Sequence, residues 1–307
     1  MGTGRRKGWR SGMTAVVVLA AGVVAMGSGC RRAATPVVEE DVAQVGQVAS
    51  FDGVPMAYER LGAGEVAVVL IHGWSCHRGY WENQLAALAG EYTVVAVDLP
   101  GHGSSGFQRD AWSVAALGRD VATLVAALQL EQVILVGHSM GGPVSLEAAR
   151  LMPGKVLGVV GVDTLHSAEW SFNQEEWEQI MTAFDQDFVG TCEQFVRGLY
   201  RPDVDATLLA WTTQDMCDAR PEVATALLTS FIDLNPGEML AAAGVPVRCI
   251  NADIYPTTLE VNRKYAPDFD VVVMAETGHF PQLERPAEFT QVLLETLAGL
   301  RSPQPVS

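Results

Sequence analysis

The chain has 307 residues, 49% of them apolar, which is enough for one large domain with a sizeable core and too little for several. Its 36 acidic side chains outnumber 20 Lys and Arg and set the formal charge at −16. Such a surface repels phosphate backbones, which argues against nucleic acid and anionic membrane as partners and favours a neutral or cationic small molecule.

In chain order, Arg5, Arg6, Lys7 and Arg10 precede an apolar run from Met13 to Met26, the pattern of an export signal. The run ends at Gly27-Ser28-Gly29-Cys30, small residues before a cysteine that resemble the lipobox of bacterial lipoproteins, although Gly27 stands where Leu or Val is usual. The resemblance implies a signal peptide over residues 1–29, diacylglycerol on Cys30, and residence in the bacterial cell envelope as a periplasmic or outer-surface lipoprotein, with the membrane met through the lipid alone. The alternative is an uncleaved anchor, because Ser11 to Cys30 carries no charge and about 20 apolar residues span a bilayer. The Gly- and Ser-rich end of the run disfavours a stable helix there. Cleavage would remove four positive charges and take the formal charge from −16 to −20. Residues 30–47, with Pro36 and Glu39-Glu40-Asp41, read as a flexible tether. The folded domain is expected from Val48 to Leu300, with 301–307 a tail. Beyond Cys30 the cysteines are Cys76, Cys192, Cys217 and Cys249, which would face an oxidising compartment.

From Val48 onward, short apolar β-branched runs alternate with helical patterns, the signature of a mostly parallel sheet covered on both faces. The expected strands are 67–71, 93–97, 132–136, 157–162, 245–250 and 271–274. Helices are expected over 113–128, 144–151 and 287–300, where apolar residues recur at spacings of three and four. Asp52-Gly53 suggests an antiparallel hairpin at the sheet edge. Residues 166–237 offer no strand but many aromatics, among them Trp170, Phe172, Trp177, Phe184, Phe195, Trp211 and Phe231. Inserted between two strands, this stretch reads as a helical cap over the strands' C-terminal edge, where ligands bind in open α/β sheets. Most of its aromatics belong to the cap's own core and a few line an apolar pocket.

Gly137-His-Ser139-Met-Gly141 follows one strand and opens a helix, the setting of a nucleophile elbow. The glycines leave room for a strained turn that exposes the serine hydroxyl. Ile71-His72-Gly73-Trp74 ends the strand that supplies an oxyanion donor in this architecture, so the backbone N–H groups of Trp74 and Met140 are the candidate pair. His72 and His102 read as loop-fixing residues, and His138, at the variable elbow position, is given no role. His279, in Glu276-Thr-Gly-His279-Phe-Pro281, follows the last expected strand. A serine hydroxyl needs a neighbouring base, and this loop histidine is placed to be one.

Taken together, His72-Gly73, Asp98-Leu-Pro-Gly-His-Gly-Ser104, Gly137-His-Ser-Met-Gly-Gly142 and Gly278-His279 resemble the α/β-hydrolase superfamily across about Val48 to Leu300. The resemblance implies an α/β-hydrolase fold, with a mostly parallel eight-stranded sheet flanked by helices and an inserted helical cap. It further implies Ser139 as nucleophile, His279 as base, no cofactor and no metal. The serine elbow resembles the esterase, lactonase, carbon–carbon hydrolase and cofactor-free haloperoxidase branches, and not those with aspartate at that place. The acid departs from the pattern: Tyr255 stands where the aspartate after the seventh strand is usual, and Asp253 lies two residues early. Asp163, ending the sixth strand, is favoured as acid, with Asp253 the alternative. The expected function is hydrolysis of an ester, thioester or lactone of a small-molecule acyl substrate through an acyl-enzyme. Carbon–carbon hydrolysis or perhydrolysis on the same residues, or a non-catalytic binding lipoprotein, are the alternatives. Cys192 and Cys217, both in the cap, are expected to pair, since a small exported lid gains stability from a staple; Cys76 and Cys249 are expected to be free thiols.

Overall fold

The computed structural model describes residues 43–171 and 173–301. The expected export signal 1–29, the lipidation site Cys30, the tether as far as residue 42, Phe172 and the tail 302–307 lie outside them.

The described chain runs β1 (Gln44–Ala49), β2 (Pro55–Leu61), β3 (Ala67–Ile71), a 3-10 turn (Arg78–Trp81), α1 (Glu82–Ala89), β4 (Thr93–Val97), α2 (Val114–Ala127), β5 (Val133–His138), α3 (Gly141–Leu151) and β6 (Val156–Val162). Five helices come next: α4 (Gln174–Gln186), α5 (Phe188–Gly198), α6 (Ala206–Cys217), α7 (Pro221–Phe231) and α8 (Pro236–Ala243). Then come β7 (Val247–Ala252), α9 (Leu259–Arg263), β8 (Asp270–Met274), α10 (Pro281–Glu284) and α11 (Pro286–Arg301).

The eight strands form one sheet in the order β1-β2-β4-β3-β5-β6-β7-β8. The β1/β2 and β2/β4 pairs are antiparallel and all later pairs are parallel. Parallel strands covered on both faces are near-continuous apolar runs, and β3, β4 and β5 are buried at each residue. Burying each such Val, Leu or Ile side chain contributes roughly 1.5–3 kcal/mol before entropy is counted. The two resulting core layers lie on opposite faces of the sheet, Val69 and Leu135 in one, Val68 and Val136 in the other.

The domain begins earlier than the sequence suggests. Residues 44–47, expected to be tether, are the first part of β1, which pairs with β2 from Gln44 to Ala49. The strand has no fully buried position, so it lacks the apolar run that marks a strand in sequence. The Asp52-Gly53 turn does join these two strands, with Gly53 at φ 91°.

The cap comprises α4 to α7. Their starts reflect local chemistry: Asn173, Asp187 and Asp205 each accept a backbone N–H from the first turn of α4, α5 and α6, and Pro221 opens α7. The expected cap boundary at Gly237 cuts through α8, whose buried residues Gly237, Leu240 and Ala243 pack it beside α3. Cys192 and Cys217 form a disulfide that ties α5 to α6, while Cys76 and Cys249 are buried thiols. Among the described residues no helix is long and apolar enough to cross a membrane.

Candidate active site

Ser139 sits between β5 and α3 at φ 51°, the left-handed region that costs a non-glycine residue about 1–3 kcal/mol. The surroundings hold it there. Its N–H donates to Val162 O at 2.9 Å, and its carbonyl accepts from Gly142 N and from Thr164 Oγ1, each at 2.9 Å. The flanking glycines are sterically required: a Cβ on Gly137 would lie 2.0 Å from Gly141 O, and one on Gly141 would lie 2.5 Å from Ile71 O.

The next strand, β6, ends in a second tight turn, with Asp163 at φ 44° and Leu165 at φ 53°. Asp163 is buried, and each of its carboxylate oxygens has a partner. Oδ1 accepts from Ala252 N at 2.8 Å, and Oδ2 accepts from His279 Nδ1 at 2.6 Å. Asn251, at the end of β7, clamps the turn by accepting from Thr164 N and donating to Thr164 O. Burial pushes the Asp163 carboxyl up, but the hydrogen bond and charge of His279, with His166 and the Ala252 amide, outweigh it and hold the group below its ordinary value. His166 Nε2 lies 3.6 Å from Asp163 Oδ1, so two imidazoles flank this carboxylate.

Asp253, the alternative acid, is turned elsewhere. Its Oδ1 accepts from Arg201 Nη1 at 3.1 Å and from Glu276 N at 3.2 Å. Tyr255 is half exposed, and its ring lies 6.0 Å from that of His166. The two carboxylates that sequence left in competition are therefore separated by place, and only Asp163 meets His279.

The loop carrying His279 is fixed from three sides. His279 N donates to Leu199 O, at the end of cap helix α5, at 2.8 Å. Glu284 accepts from Gly278 N at 2.7 Å and Phe280 N at 3.1 Å, bracketing the histidine. The third hold corrects the sequence reading, which gave His138 no role: its Nε2 is 2.8 Å from the carbonyl of His279, and a carbonyl only accepts, so Nε2 carries the proton. The His138 ring is buried against His279 and Phe280 at 4.8 and 4.9 Å, and burial lowers it to about 3, so it is uncharged. A Cβ on Gly73 would come within 2.8 Å of His138 Nδ1, which explains the glycine there. His72 and His102 fix loops, as expected. His72 donates from Nδ1 to Gly73 O and accepts Leu99 N at Nε2, and His102 meets Pro100 O at 3.1 Å.

Ser139, His279, Trp74, Met140 and His138 all line one cavity of about 270 Å³ beneath the cap. The two oxyanion-donor candidates thus border the same cavity as the serine, and Met140 caps the N-terminus of α3, where backbone N–H groups lack intrahelical partners. The Trp74 side chain joins core to cap, donating from Nε1 to Ala224 O at 2.9 Å. Among the described residues no group of three or more His, Cys, Asp or Glu side chains could hold a metal ion.

A strained serine after a parallel strand, a histidine on the last loop and a buried carboxylate bonded to it are the parts of a hydrolase built on a parallel sheet. The sequence matches the profile of the alpha/beta hydrolase family over residues 68–292, and the chain belongs to that family. It is 30% identical over 270 residues, 85% of this chain and 71% of the relative, to the dihydrolipoyllysine-residue acetyltransferase component of the acetoin cleaving system of Cupriavidus necator. It is also 30% identical to the pimeloyl-[acyl-carrier protein] methyl ester esterase of Yersinia enterocolitica, covering 76% of this chain and 94% of that one. Among solved structures, the bromoperoxidase of Bacillus anthracis superposes with TM-score 0.74 at 22% identity, over 83% of this chain and all of that one. A thermophilic esterase of Thermogutta terrifontis gives TM-score 0.74 at 24% identity, over 84% of this chain and all of that one. These structural likenesses show the fold.

Proposed function

We propose that the chain is a serine hydrolase that cleaves an ester, thioester or lactone of a small molecule through an acyl-enzyme. Ser139 is the nucleophile, His279 the base and Asp163 the acid, with the N–H groups of Trp74 and Met140 as the oxyanion donors. The observation that carries this reading is the 2.6 Å hydrogen bond from His279 Nδ1 to buried Asp163, in a cavity that His279 shares with Ser139. A carboxylate can only accept, so the proton sits on Nδ1 and Nε2 keeps its lone pair for the serine.

The Ser139 hydroxyl oxygen attacks the substrate carbonyl carbon as its proton passes to His279 Nε2. The oxyanion is stabilised by the two backbone donors, and Asp163 stabilises the imidazolium. Collapse expels the alcohol, thiol or ring oxygen, which takes the proton from His279 and leaves an ester on Ser139. Water then repeats the sequence, with His279 accepting its proton and returning it to Ser139 as the acid departs. The pimeloyl methyl ester esterase relative supports the reaction class. Export and lipid attachment at Cys30 belong to the same proposal and rest on the Arg5-to-Cys30 pattern and the cap disulfide, which suits an oxidising compartment.

A fluorophosphonate probe should modify Ser139 in the wild type and leave Ser139→Ala unlabelled. An unlabelled wild type at every pH would support a binding protein on a hydrolase fold. For the anchor, Cys30→Ala should release the processed protein from membranes, and continued membrane fractionation after signal cleavage would contradict lipidation.

A further inference from the structure

The cavity over Ser139 is walled by Trp74 from the core and by Trp177, Phe195, Met216 and Leu228 from the four cap helices, with Phe280 beside His279. Among the described residues that line it there is no Lys, Arg, Asp or Glu. Its imidazoles supply no cation at rest: His138 donates from Nε2 to the His279 carbonyl and is kept uncharged by burial, and His279 is bonded to Asp163. An ionised group entering would therefore lose its hydration and find no counter-charge, which costs a buried ion heavily. The chain's excess of acidic residues adds a repulsive field for anions at encounter.

The walls are also held in place. Trp74 is pinned through Nε1 to Ala224 O and lies edge-on to Phe184 and Phe195. The Cys192–Cys217 disulfide ties the helix bearing Phe195 to the helix bearing Met216. Fixed walls set a definite capacity. A cavity of about 150 Å³ holds a six-carbon ring such as benzene, so one of about 270 Å³ takes a group of up to roughly ten carbons.

Resting on the serine-hydrolase reading, we propose that this site accepts an uncharged apolar acyl group of roughly six to ten carbons, a size set by the cavity volume, and rejects an acyl group that ends in a carboxylate. Met216 and Leu228 line this cavity from the cap and take no part in the chemistry, so they are the positions at which its capacity can be changed.

The test measures kcat/KM for p-nitrophenyl acetate, butyrate, hexanoate, octanoate, decanoate and palmitate, together with the mono-p-nitrophenyl ester of adipic acid, which matches hexanoate in length and adds a carboxylate. Each methylene should raise kcat/KM about two- to fourfold up to the optimum, and palmitate should fall at least about tenfold below it. The adipate ester should be slower than hexanoate by about a hundredfold or more, the cost of an unpaired buried charge. Met216→Ala should move the optimum to longer chains and Leu228→Phe to shorter ones, the second carrying the test if the first does not fold. Fluorophosphonate labelling of Ser139 separates the outcomes. A labelled enzyme that prefers acetate, or that hydrolyses the adipate ester as fast as hexanoate, overturns the substrate assignment alone. An unlabelled enzyme that turns over no ester overturns the serine-hydrolase reading with it.

Discussion

Replacing Asp163 by Asn removes a charge and keeps the shape, and the local hydrogen bonds decide how the site responds. The Ala252 N–H that meets Oδ1 at 2.8 Å needs an acceptor, so the amide oxygen takes that side. The amide NH₂ is then left facing His279 Nδ1, where Oδ2 now accepts at 2.6 Å. Two donors cannot face each other, so Nδ1 gives up its proton and Nε2 acquires one, which turns the base into a donor towards Ser139. In serine proteases the equivalent change lowers kcat about 10⁴-fold, or about 5.5 kcal/mol of barrier, and the same loss is expected here. Asp253→Asn, whose carboxylate serves Arg201 and the Glu276 amide, should lower kcat less than about threefold, because surface pairs contribute about 0–1 kcal/mol. The assay is kcat on p-nitrophenyl hexanoate, with circular dichroism to confirm that both variants are folded. An Asp163→Asn enzyme within tenfold of the wild type, or a larger loss from Asp253→Asn, would refute the tautomer argument.

His138→Phe keeps the ring packed between His279 and Phe280 but leaves the His279 carbonyl without its donor; kcat should fall about ten- to a hundredfold, the cost of an unmet buried group, with KM nearly unchanged. His138→Gln, which can still donate, should recover most of the loss, and equal activities of the Phe and Gln variants would count against positioning. Replacing both Cys192 and Cys217 by Ser opens a loop of sequence separation 25 and should lower stability in urea by about 3 kcal/mol; an unchanged midpoint would show that the staple is not needed. Burial lowers His102 to about 4 and His138 to about 3, whereas unfolded imidazoles protonate near 6.5. Between pH 7 and pH 5 the unfolded state alone takes up these protons, so stability falls as pH falls, each histidine contributing up to about 1.4 kcal/mol per pH unit. His102→Gln should make that slope shallower by about this amount in urea titrations at pH 7, 6 and 5, and identical slopes would contradict the assignment.

What could be read from sequence was what local chemistry specifies. The strands 67–71 and 93–97 were bounded to the residue because fully buried parallel strands are continuous apolar runs between turns. The Ser139 turn was legible because a tight strand-to-helix turn needs small residues at fixed offsets. β1 was missed over residues 44–47 because an edge strand without a buried face carries no apolar signal. The cap read as one helical stretch whose division into four helices and whose boundary with α8 depend on packing. The acid stayed open between Asp163 and Asp253 because both end adjacent strands, and only the direction of each side chain distinguishes them. The roles of His138 and Glu284 are not legible in sequence for a related reason: both act on the backbone around His279, and contacts to main chain leave no residue-type signature at the partner.

The loop that carries His279 is suspended from the cap through the Leu199 carbonyl, and His279 comes 116 positions after Asp163 in the chain. Ser139 and Asp163 therefore leave the ribosome long before His279, and the loop bearing His279 needs a folded cap to hang from. A nascent chain or a fragment ending before β8 would present Ser139 without His279, and under the proposed mechanism it would be inert. On the proposed serine-hydrolase reading, ester turnover would report completed folding, sensitive at once to the cap, the last strand and their docking, and it could be used to follow refolding or the reassembly of a split chain.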